Sequence, residues 1–274
     1  MVQEFNYVAP TTLDDLLQFL SEKTKKGETA VVINGGTDLL VSIRAGQKKP
    51  DYVVDMKKVP ELKKLSFSAS EGLSIGATVT INELLASKEV KNHYAVLYAG
   101  AETLADYQLR NRATVTGNLV TASPCGDTTS PLLTLKAELV VRSASGSRKM
   151  LVKDFITGVK QTALKPDEIV EKVLIPAESA DARGGYKKLK RIKGHDLGIV
   201  MVAMYRTDKE IRLSVGSAAP RPVLIEEIKP GSDIVEVQKL VQDAISPIDD
   251  VRASAEYRRA MVDAYVKQLM EEVK

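Results

Sequence analysis

Two glycine-containing turns provide the residues best suited to bind a ligand. The first, Asn34-Gly35-Gly36-Thr37-Asp38, follows the apolar run Val31 to Ile33. Three β-branched residues predict a short buried strand, and a Gly-Gly pair allows positive φ and close backbone approach. A strand ending in such a turn directs several amide N–H groups at one point, which suits a phosphate. The alternative is an ordinary strand-to-helix turn, which the Gly-Gly pair alone favours.

A second segment of the same character lies far downstream. It runs from Ala113 to Thr121 and continues into the polar, turn-rich run Ser123 to Pro131, which has Asp127 near its middle. Two such turns could hold the two phosphates of one dinucleotide between them. Neither G-x-G-x-x-G nor G-x-x-x-x-G-K-[ST] occurs at the required strand-to-helix position, which disfavours a Rossmann dehydrogenase and a P-loop enzyme.

Length and charge set broad limits on the class of protein. The 274 residues suffice for one large domain or two to three smaller ones. With 39 basic and 36 acidic residues the net charge is only +3, which gives no reason to expect a nucleic-acid partner. Trp is absent and Phe occurs four times, so aromatic platforms for base stacking are scarce.

Metal ligands and targeting segments are not expected in this chain. Cys125 is the single cysteine, which excludes an intrachain disulfide and any site built from several of this chain's thiolates. His93 and His195 lie far apart in the sequence, which argues against a His-rich metal site. The N-terminus lacks the basic and apolar regions of a signal peptide, and no apolar run approaches membrane-spanning length. We therefore expect a soluble, cytoplasmic protein.

Hydrophobic periodicity predicts mixed helices and strands along the whole chain. A compact β-α-β beginning is expected from strands near 5–9, 30–33 and 52–56, with a helix from Leu13 capped by Thr11 or Thr12. Residues 177–185 lack apolar periodicity and are interpreted as an inter-domain connection. The other predicted elements are strands at 73–77, 168–176, 198–206 and 211–215, a hairpin over 137–152, and helices near 80–85, 94–104, 234–244 and 254–272.

In this order and spacing, the sequence resembles the FAD-binding (medium) subunit of molybdenum hydroxylases, the family of carbon monoxide dehydrogenase and xanthine dehydrogenase. The resemblance covers nearly the whole chain. It rests on these segments: Phe5-x-Tyr7-x-x-Pro10-x-x-Leu13, Asn34 to Leu39, Ile75 to Thr80, Arg112 to Asn118, Pro124-x-x-Asp127, Tyr186-x-Lys188 and Asp250-x-Arg252-Ala253-Ser254-x-x-Tyr257-Arg258.

The resemblance implies an α+β fold, namely the vanillyl-alcohol-oxidase or PCMH-type FAD-binding fold. Two subdomains would hold FAD between them, and a C-terminal domain would contain a three-stranded antiparallel sheet and helices. Residues 1–176 would form the FAD-binding PCMH-type domain, with subdomains of about 1–57 and 58–176. Residues 177–274 would form a domain like the C-terminal domain of the carbon monoxide dehydrogenase flavoprotein.

The resemblance also implies a set of residues that bind FAD without a covalent bond. Backbone amides of the first turn would wrap the pyrophosphate, and the second turn would hold it from the other side. Asp127 would hydrogen-bond the sugar or ribityl chain, two apolar residues would pack on the cofactor, and Lys188 would lie near the flavin ring. The implied residues are Val32, Ile33, Asn34, Gly35, Gly36, Thr37, Asp38, Leu39, Leu104, Thr114, Gly117, Asn118, Asp127, Val170 and Lys188.

The chain departs from the family pattern at one position of the second turn. Thr116 stands where the family usually has the first of two glycines. A β-branched residue is costly at positive φ, so either this turn has an ordinary backbone conformation or FAD binding is weakened. The flanking matches favour the first interpretation. Cys125 raises the question of a thioether to the flavin, although a small buried thiol is the simpler interpretation.

The implied function is electron transfer within a multi-subunit oxidoreductase. A molybdopterin large subunit would oxidise the substrate, a [2Fe–2S] small subunit would pass the electrons on, and FAD on this chain would deliver them to NAD⁺ or another acceptor. This chain would then need no catalytic acid or base of its own, and His93 and His195 are interpreted as surface residues. The alternatives are a self-sufficient flavin oxidoreductase with its own substrate and a non-catalytic FAD-binding or scaffold protein.

Overall fold

A computed structural model describes residues 4–274 and shows three sheets and a short two-stranded ribbon within that range. The first sheet is parallel, with strand order β1-β3-β2. Helix α1 begins after Thr12, whose hydroxyl accepts from the Asp15 amide, and it buries Leu16 and Leu20 beneath the sheet. The first subdomain consists of β1 (Asn6–Val8), α1 (Leu13–Lys25), β2 (Ala30–Ile33), α2 (Leu39–Arg44) and β3 (Tyr52–Asp55).

The second subdomain combines an antiparallel sheet with a layer of short helices. Its five strands follow the order β4-β5-β10-β6-β7. The elements are β4 (Leu65–Ser68), β5 (Gly72–Gly76), α3 (Ile81–Ala86), α4 (Lys88–His93), α5 (Ala95–Glu102), α6 (Tyr107–Arg110), α7 (Val115–Val120), α8 (Thr129–Thr134), β6 (Glu138–Ser143), β7 (Gly146–Leu151), α9 (Val152–Phe155), β8 (Ile156–Gly158), β9 (Gln161–Thr162) and β10 (Ile169–Ile175).

The C-terminal domain has a four-stranded antiparallel sheet, so the expected three-stranded sheet was wrong in its strand count. Two helices cover this sheet and contribute Val237, Val262 and Val266 to its core. The elements are β11 (Arg183–Leu189), β12 (Val200–Arg206), β13 (Ile211–Gly216), β14 (Val223–Ile228), α10 (Ile234–Ala244) and α11 (Ala255–Glu272).

Strand β11 begins inside the stretch that the sequence suggested was a connection. Gly184 and Gly185 lie within this strand and pair with Tyr205 and Met204. A Cβ on Gly184 would lie 2.9 Å from the Val96 Cβ of α5, and a Cβ on Gly185 would lie 2.7 Å from Leu269 of α11. These glycines therefore allow helices to pack closely on both faces of the strand. The same glycines give the segment the composition of a linker, so its sequence did not predict a strand.

The C-terminal sheet shares a hydrophobic core with the second subdomain. Ala203 and Tyr205 of β12 belong to the same buried cluster as Leu97 of α5 and Leu132 of α8. Helix α8 packs against both β12 and β13. This shared core fixes the C-terminal domain against helices α5 and α8 of the second subdomain. None of the helices among residues 4–274 combines the length and apolarity needed to cross a bilayer.

Candidate cofactor-binding site

The first turn presents a run of backbone amides at the end of β2. Within the described part of the chain, no backbone hydrogen bond of turns and caps uses the N–H of Gly35, Gly36, Thr37 or Asp38. Gly36 has φ of +77°, and a Cβ there would lie 2.9 Å from Ile33 Cδ1. Consecutive amides in such a conformation form a concavity that binds anions. The turn therefore fits the diphosphate of a dinucleotide without a cationic side chain.

The second turn is the beginning of helix α7. Thr114 is its N-cap, and the Thr114 hydroxyl accepts from the Gly117 amide at 2.9 Å. The Asn118 amide donates to the Thr114 carbonyl at 3.0 Å, so the N–H groups of Val115 and Thr116 are the ones left without an intrahelical acceptor. Thr114, Gly117 and Asn118 thus lie together at the start of α7, and their contact with a phosphate stays a prediction.

Direct contacts hold the two turns together. A Cβ on Gly35 would lie 2.2 Å from the Arg112 carbonyl oxygen and 3.1 Å from Ala113 Cα, so only glycine fits where the turns meet. The Asn34 side-chain amide donates to the Ala77 carbonyl, and the Ile81 amide donates to the Ala113 carbonyl at 2.8 Å. The segment from Ala77 to Ile81, which follows β5, therefore contacts both turns. Two segments far apart in sequence form one continuous backbone surface.

Thr116 has an ordinary helical backbone, as favoured from the sequence. It lies inside α7, and its φ is not positive. Its side chain is buried, and its hydroxyl has no hydrogen-bond partner among the described residues. The family's glycine is therefore not required here for a left-handed conformation.

A third segment, residues 123–128, closes the site beyond α7. The Asn118 side-chain oxygen accepts from the Thr128 amide at 3.1 Å and from the Thr128 hydroxyl at 2.8 Å. Gly126 fits beneath these groups, because a Cβ there would lie 2.7 Å from the Thr129 hydroxyl and 3.2 Å from Asn118 Oδ1. Asn118 therefore ties α7 to the segment that carries Asp127.

Asp127 forms a buried ion pair with Lys188. The Lys188 ammonium lies 2.7 Å from Asp127 Oδ1 and donates to the Thr103 carbonyl at 3.2 Å, and its side chain is only 2% exposed. The Tyr186 hydroxyl donates to the same carboxylate oxygen at 3.1 Å. Because both donors share Oδ1, Oδ2 is the oxygen available to a cofactor hydroxyl. The pair connects the C-terminal sheet to the second subdomain.

Burial dominates the electrostatics of this group. It raises the pKa of the Asp127 carboxyl above its usual value, although the Lys188 ammonium opposes the shift. Burial and the neighbouring carboxylate raise the pKa of the Tyr186 phenol well above its usual value. Tyr186 therefore remains protonated and acts as a donor. The group suits the recognition and orientation of a polar ligand.

The two apolar residues expected to pack on the cofactor lie in different surroundings. Leu104 is next to Thr103, whose carbonyl accepts from Lys188, so it adjoins the ion pair. Val170 lies on β10, opposite Val141 and 2% exposed in the central core. The backbone carbonyl of its neighbour Glu171 accepts from the Ala77 amide at 3.0 Å. The structure thus brings Leu104 to the site, whereas Val170 lies beneath it, and contact of either with FAD stays a prediction.

Cys125 is buried and contacts a C-terminal arginine. The Arg252 Nη1 donates to Cys125 Sγ at 3.2 Å, and Arg252 pairs with Asp250 at 2.7 Å. Asp250 also pairs with the buried Arg258 at 2.7 Å. These arginines hold the pKa of the Asp250 carboxyl well below its usual range. The C-terminal sequence motif therefore supports the segment that carries Asp127.

Neither histidine belongs to the site. His195 is about half exposed, and its Nδ1 lies 3.8 Å from the Asp106 carboxylate. His93 stacks on Phe67 and pairs with Asp181 at 2.6 Å near the start of β11. Both lie at the surface as expected, although His93 has partners there. Among residues 4–274, no three His, Cys, Asp or Glu side chains are grouped to hold a metal ion.

Sequence reasoning gave no role to two residues that the structure brings to the site. Tyr186 appeared only as part of a motif, although the period of two along a strand places it on the same face as Lys188. Lys57 was not singled out, yet its ammonium donates to the Asn34 carbonyl at 3.1 Å and pairs with Asp55 at 2.8 Å. The spacing Asp55-x-Lys57 at the end of β3 was the available signal.

A groove of about 490 Å³ lies elsewhere, between α1 and the turn of the β6–β7 hairpin. Asp14 and Asp15 line it together with Arg142 and the hairpin serines. Two carboxylates repel a diphosphate, so this groove does not compete with the paired turns as a phosphate site.

Two protein families match consecutive parts of the chain. The family described as "FAD binding domain in molybdopterin dehydrogenase" matches residues 3–178. The family described as "CO dehydrogenase flavoprotein C-terminal domain" matches residues 184–273. Together they cover both halves of the fold described above.

Individual proteins show the same likeness. The chain is 32% identical over 202 residues to the nicotinate dehydrogenase FAD-subunit of Eubacterium barkeri, covering 73% of this chain and 67% of that protein. It is 29% identical to the glyceraldehyde dehydrogenase medium chain of Sulfolobus acidocaldarius, covering 98% of each. A solved structure of carbon monoxide dehydrogenase from Hydrogenophaga pseudoflava superposes with a TM-score of 0.91 at 24% identity, covering 100% of this chain and 98% of that one. That likeness establishes a common fold.

Proposed function

The chain belongs to the FAD-binding family of molybdopterin dehydrogenases, and from this premise we propose that it passes electrons from a [2Fe–2S] partner subunit through FAD to NAD⁺ or another acceptor. It is the flavoprotein subunit of an oxidoreductase, and its cofactor is FAD. Substrate oxidation would take place on a separate molybdopterin-containing subunit.

The observation that carries this proposal is the junction of the two turns. Gly35 packs against Arg112 and Ala113, so the amides of residues 35–38 and the start of α7 form one surface. Backbone amides bind a diphosphate through hydrogen bonds and fixed dipoles. These amide donors therefore fit the diphosphate of FAD.

The chain's own residues would bind and orient the cofactor. Val32 to Leu39 and the Thr114-Gly117-Asn118 turn would hold the diphosphate, and Asp127 would accept from a cofactor hydroxyl. Lys188, fixed by Asp127 and the Thr103 carbonyl, would place a positive charge beside the cofactor. Bound FAD would supply the electron-transfer chemistry, which the protein's own side chains lack.

Partner subunits are proposed from the relatives. Several relatives are named medium chains, among them those of glyceraldehyde dehydrogenase and carbon monoxide dehydrogenase, each about as long as this chain. A medium chain implies further chains in its complex. We propose a [2Fe–2S] small subunit and a molybdopterin large subunit for this chain. The relatives differ in their named substrates, so no substrate is assigned.

The first test is the visible spectrum of the purified protein before and after acid precipitation. We expect about one equivalent of released FAD per chain, since the paired turns form one site. Flavin retained in the precipitate would indicate a covalent bond, with Cys125 the first residue to substitute. A chain that neither contains FAD nor takes it up when FAD is added would contradict the proposal.

The partner and acceptor are tested on the native complex. Purification through a tag on this chain should recover iron, molybdenum and two further subunits. Anaerobic NADH should then bleach the flavin if NAD⁺ is the acceptor, and an unchanged flavin spectrum would exclude NAD⁺.

A self-sufficient flavin oxidoreductase is the weaker candidate. It would need an acid or base free to act on its own substrate. The described titratable groups at the Asp127 end are engaged with one another, since Lys188 and Tyr186 both bind that carboxylate. Recovery of flavin-dependent turnover by the isolated chain would favour this candidate.

A further inference from the structure

Lys57 lies behind the first phosphate turn. Its ammonium donates to the Asn34 carbonyl at 3.1 Å and pairs with Asp55 Oδ2 at 2.8 Å. Asp55 is itself fixed, because its carboxylate also accepts from the Tyr7 hydroxyl at 2.7 Å and from the Lys57 amide at 2.9 Å. The Asp55 side chain is only 8% exposed. The lysine is thus held from one side and bonded to the turn on the other.

The carbonyl that Lys57 contacts belongs to the peptide between Asn34 and Gly35. No peptide bond among the described residues is cis, and in a trans peptide the C=O and N–H groups point in opposite directions. A cation at the Asn34 oxygen therefore directs the Gly35 N–H away from Lys57. That N–H is the first of the amides left without a backbone acceptor in this turn.

This peptide needs an external restraint. It precedes two consecutive glycines, and glycine permits backbone rotations that other residues resist. Rotation of the Asn34–Gly35 peptide would turn its carbonyl oxygen toward the phosphate-binding side and repel an anion. The charged hydrogen bond from Lys57 opposes that rotation and is stronger than a neutral one.

We propose that Lys57, held by Asp55 and Tyr7, is a positioning residue that orients the Asn34–Gly35 peptide for diphosphate binding. The proposal rests on the proposed function, since it concerns the same FAD site. It gives a role to the chain's opening Phe5-x-Tyr7 motif, whose tyrosine supports the carboxylate. Lys57 acts through the peptide, so its effect is confined to the phosphate-bearing part of the ligand.

The test compares ADP and adenosine binding by calorimetry, using the full-length chain freed of flavin. Lys57→Met should weaken ADP about tenfold, the loss typical of a hydrogen bond to a charged group, and leave adenosine affinity unchanged. Lys57→Arg, which keeps the charge and the donors, should restore most of the ADP affinity. Lys58→Met is the matched control, because Lys58 is the next residue in the chain and its side chain is exposed. This variant should bind both ligands like the wild type.

A second variant guards against misfolding. Lys57→Met leaves the buried Asp55 carboxylate without its cation, which could destabilise the fold. The double variant Lys57→Met with Asp55→Asn removes both charges. It should show the same selective loss of ADP affinity. Equal ADP affinity in folded Lys57→Met and wild type would overturn the positioning role while leaving the FAD assignment intact. An equal loss of adenosine affinity would show that Lys57 stabilises the fold in general and does not position the peptide. Failure of the wild type to bind FAD or ADP would contradict the proposed function itself.

Discussion

At the first turn the groups proposed to face the ligand are amides of adjacent residues, Gly35 to Asp38, whereas at the C-terminal junction they are the buried charges of Asp127 and Lys188. The turn depends on backbone shape and small residues. The junction depends on two side chains that the fold brings together from different domains. In the proposed site, one end would bind through neutral dipoles and the other through a compensated ion pair.

The difference predicts opposite sensitivities. A backbone turn does not tolerate an added Cβ where two segments meet, as at Gly35. A buried ion pair tolerates removal of both charges better than removal of one. Substitutions at the two ends should therefore fail for different reasons, which stability and binding measurements can separate.

The largest expected effect is that of Lys188→Met at the junction. It would leave the Asp127 carboxylate buried without its cation, and breaking such a pair costs roughly 3–5 kcal/mol. We expect chemical denaturation to show a loss of this order in the free energy of unfolding, together with loss of bound FAD.

The matched variant combines Lys188→Met with Asp127→Asn. With both charges removed, most of the lost stability should return, because an Asn side chain can still accept from the Tyr186 hydroxyl. FAD binding would remain weak, because the proposed cofactor contacts are gone. If the double variant were as unstable as Lys188→Met, the ion pair would not account for the effect.

At the turn, Gly35→Ala should have the next largest effect. Its Cβ would lie 2.2 Å from the Arg112 carbonyl oxygen, so the two turns must separate, and overpacking of this kind costs roughly 1–3 kcal/mol. FAD affinity should fall by more than this loss of stability would account for, because turns that have moved apart no longer bind the same diphosphate. Thermal unfolding and FAD titration on the same sample measure both effects.

Gly194→Ala is the control for this substitution. The nearest atom to its Cβ would be Ile192 Cδ1 at 3.9 Å, so the substitution should change neither stability nor FAD affinity appreciably. Normal FAD binding by Gly35→Ala would show that the two turns do not act as one surface.

The same contrast explains how far the sequence predicted the molecule. The turn at Asn34 to Asp38, the cap at Thr12 and five helices depend on neighbouring residues, so local patterns predicted them; these helices are α1, α3, α5, α10 and α11. The short helices α2, α4, α6, α7, α8 and α9 were not predicted. The β6–β7 hairpin was predicted for the same reason. The contacts of Asp127 with Tyr186 and of Gly35 with Arg112 join segments whose approach depends on packing of the whole chain, and no local pattern carries that information.

The missed strands have a related cause. In β11 the pair Gly184-Gly185 lacks apolar side chains because helices α5 and α11 occupy that space. In β14 the bulge opposite Arg212 interrupts the pairing with β13, which obscures the alternation expected of a strand. Both of these strands lie at the edges of the C-terminal sheet.

Two carboxylates should respond to pH in opposite directions. Burial raises the pKa of Asp127 in the folded state, so the unfolded chain loses that proton first and stability falls as pH rises above about the ordinary value of 3.8. Arg252 lowers the pKa of Asp250, so its contribution is present above 3.8 and is lost as the pH falls further. Denaturation curves of Asp127→Asn and Asp250→Asn against pH, compared with the wild type, measure each response.

Asp127→Asn should flatten the fall in stability toward neutral pH, whereas Asp250→Asn should flatten the loss at acid pH. The same change of slope in both variants would show that the two groups do not differ as their surroundings indicate. Each substitution also leaves a buried cation without its carboxylate, Lys188 or Arg258, and so lowers stability at every pH. The slope of stability against pH is therefore the quantity to compare.

The smallest expected effect concerns Thr116 in the second turn. Thr116→Val keeps the side-chain shape and removes a buried hydroxyl without a described partner, so stability should stay equal or rise by up to roughly 1 kcal/mol. Thr116→Gly should instead lower stability by roughly 1 kcal/mol, because it removes a buried side chain and glycine is less favourable than threonine inside a helix. Neither should change FAD affinity, since the backbone of α7 already has the required helical conformation. Tighter FAD binding by Thr116→Gly would mean that this turn, unlike the first, is limited by its side chain.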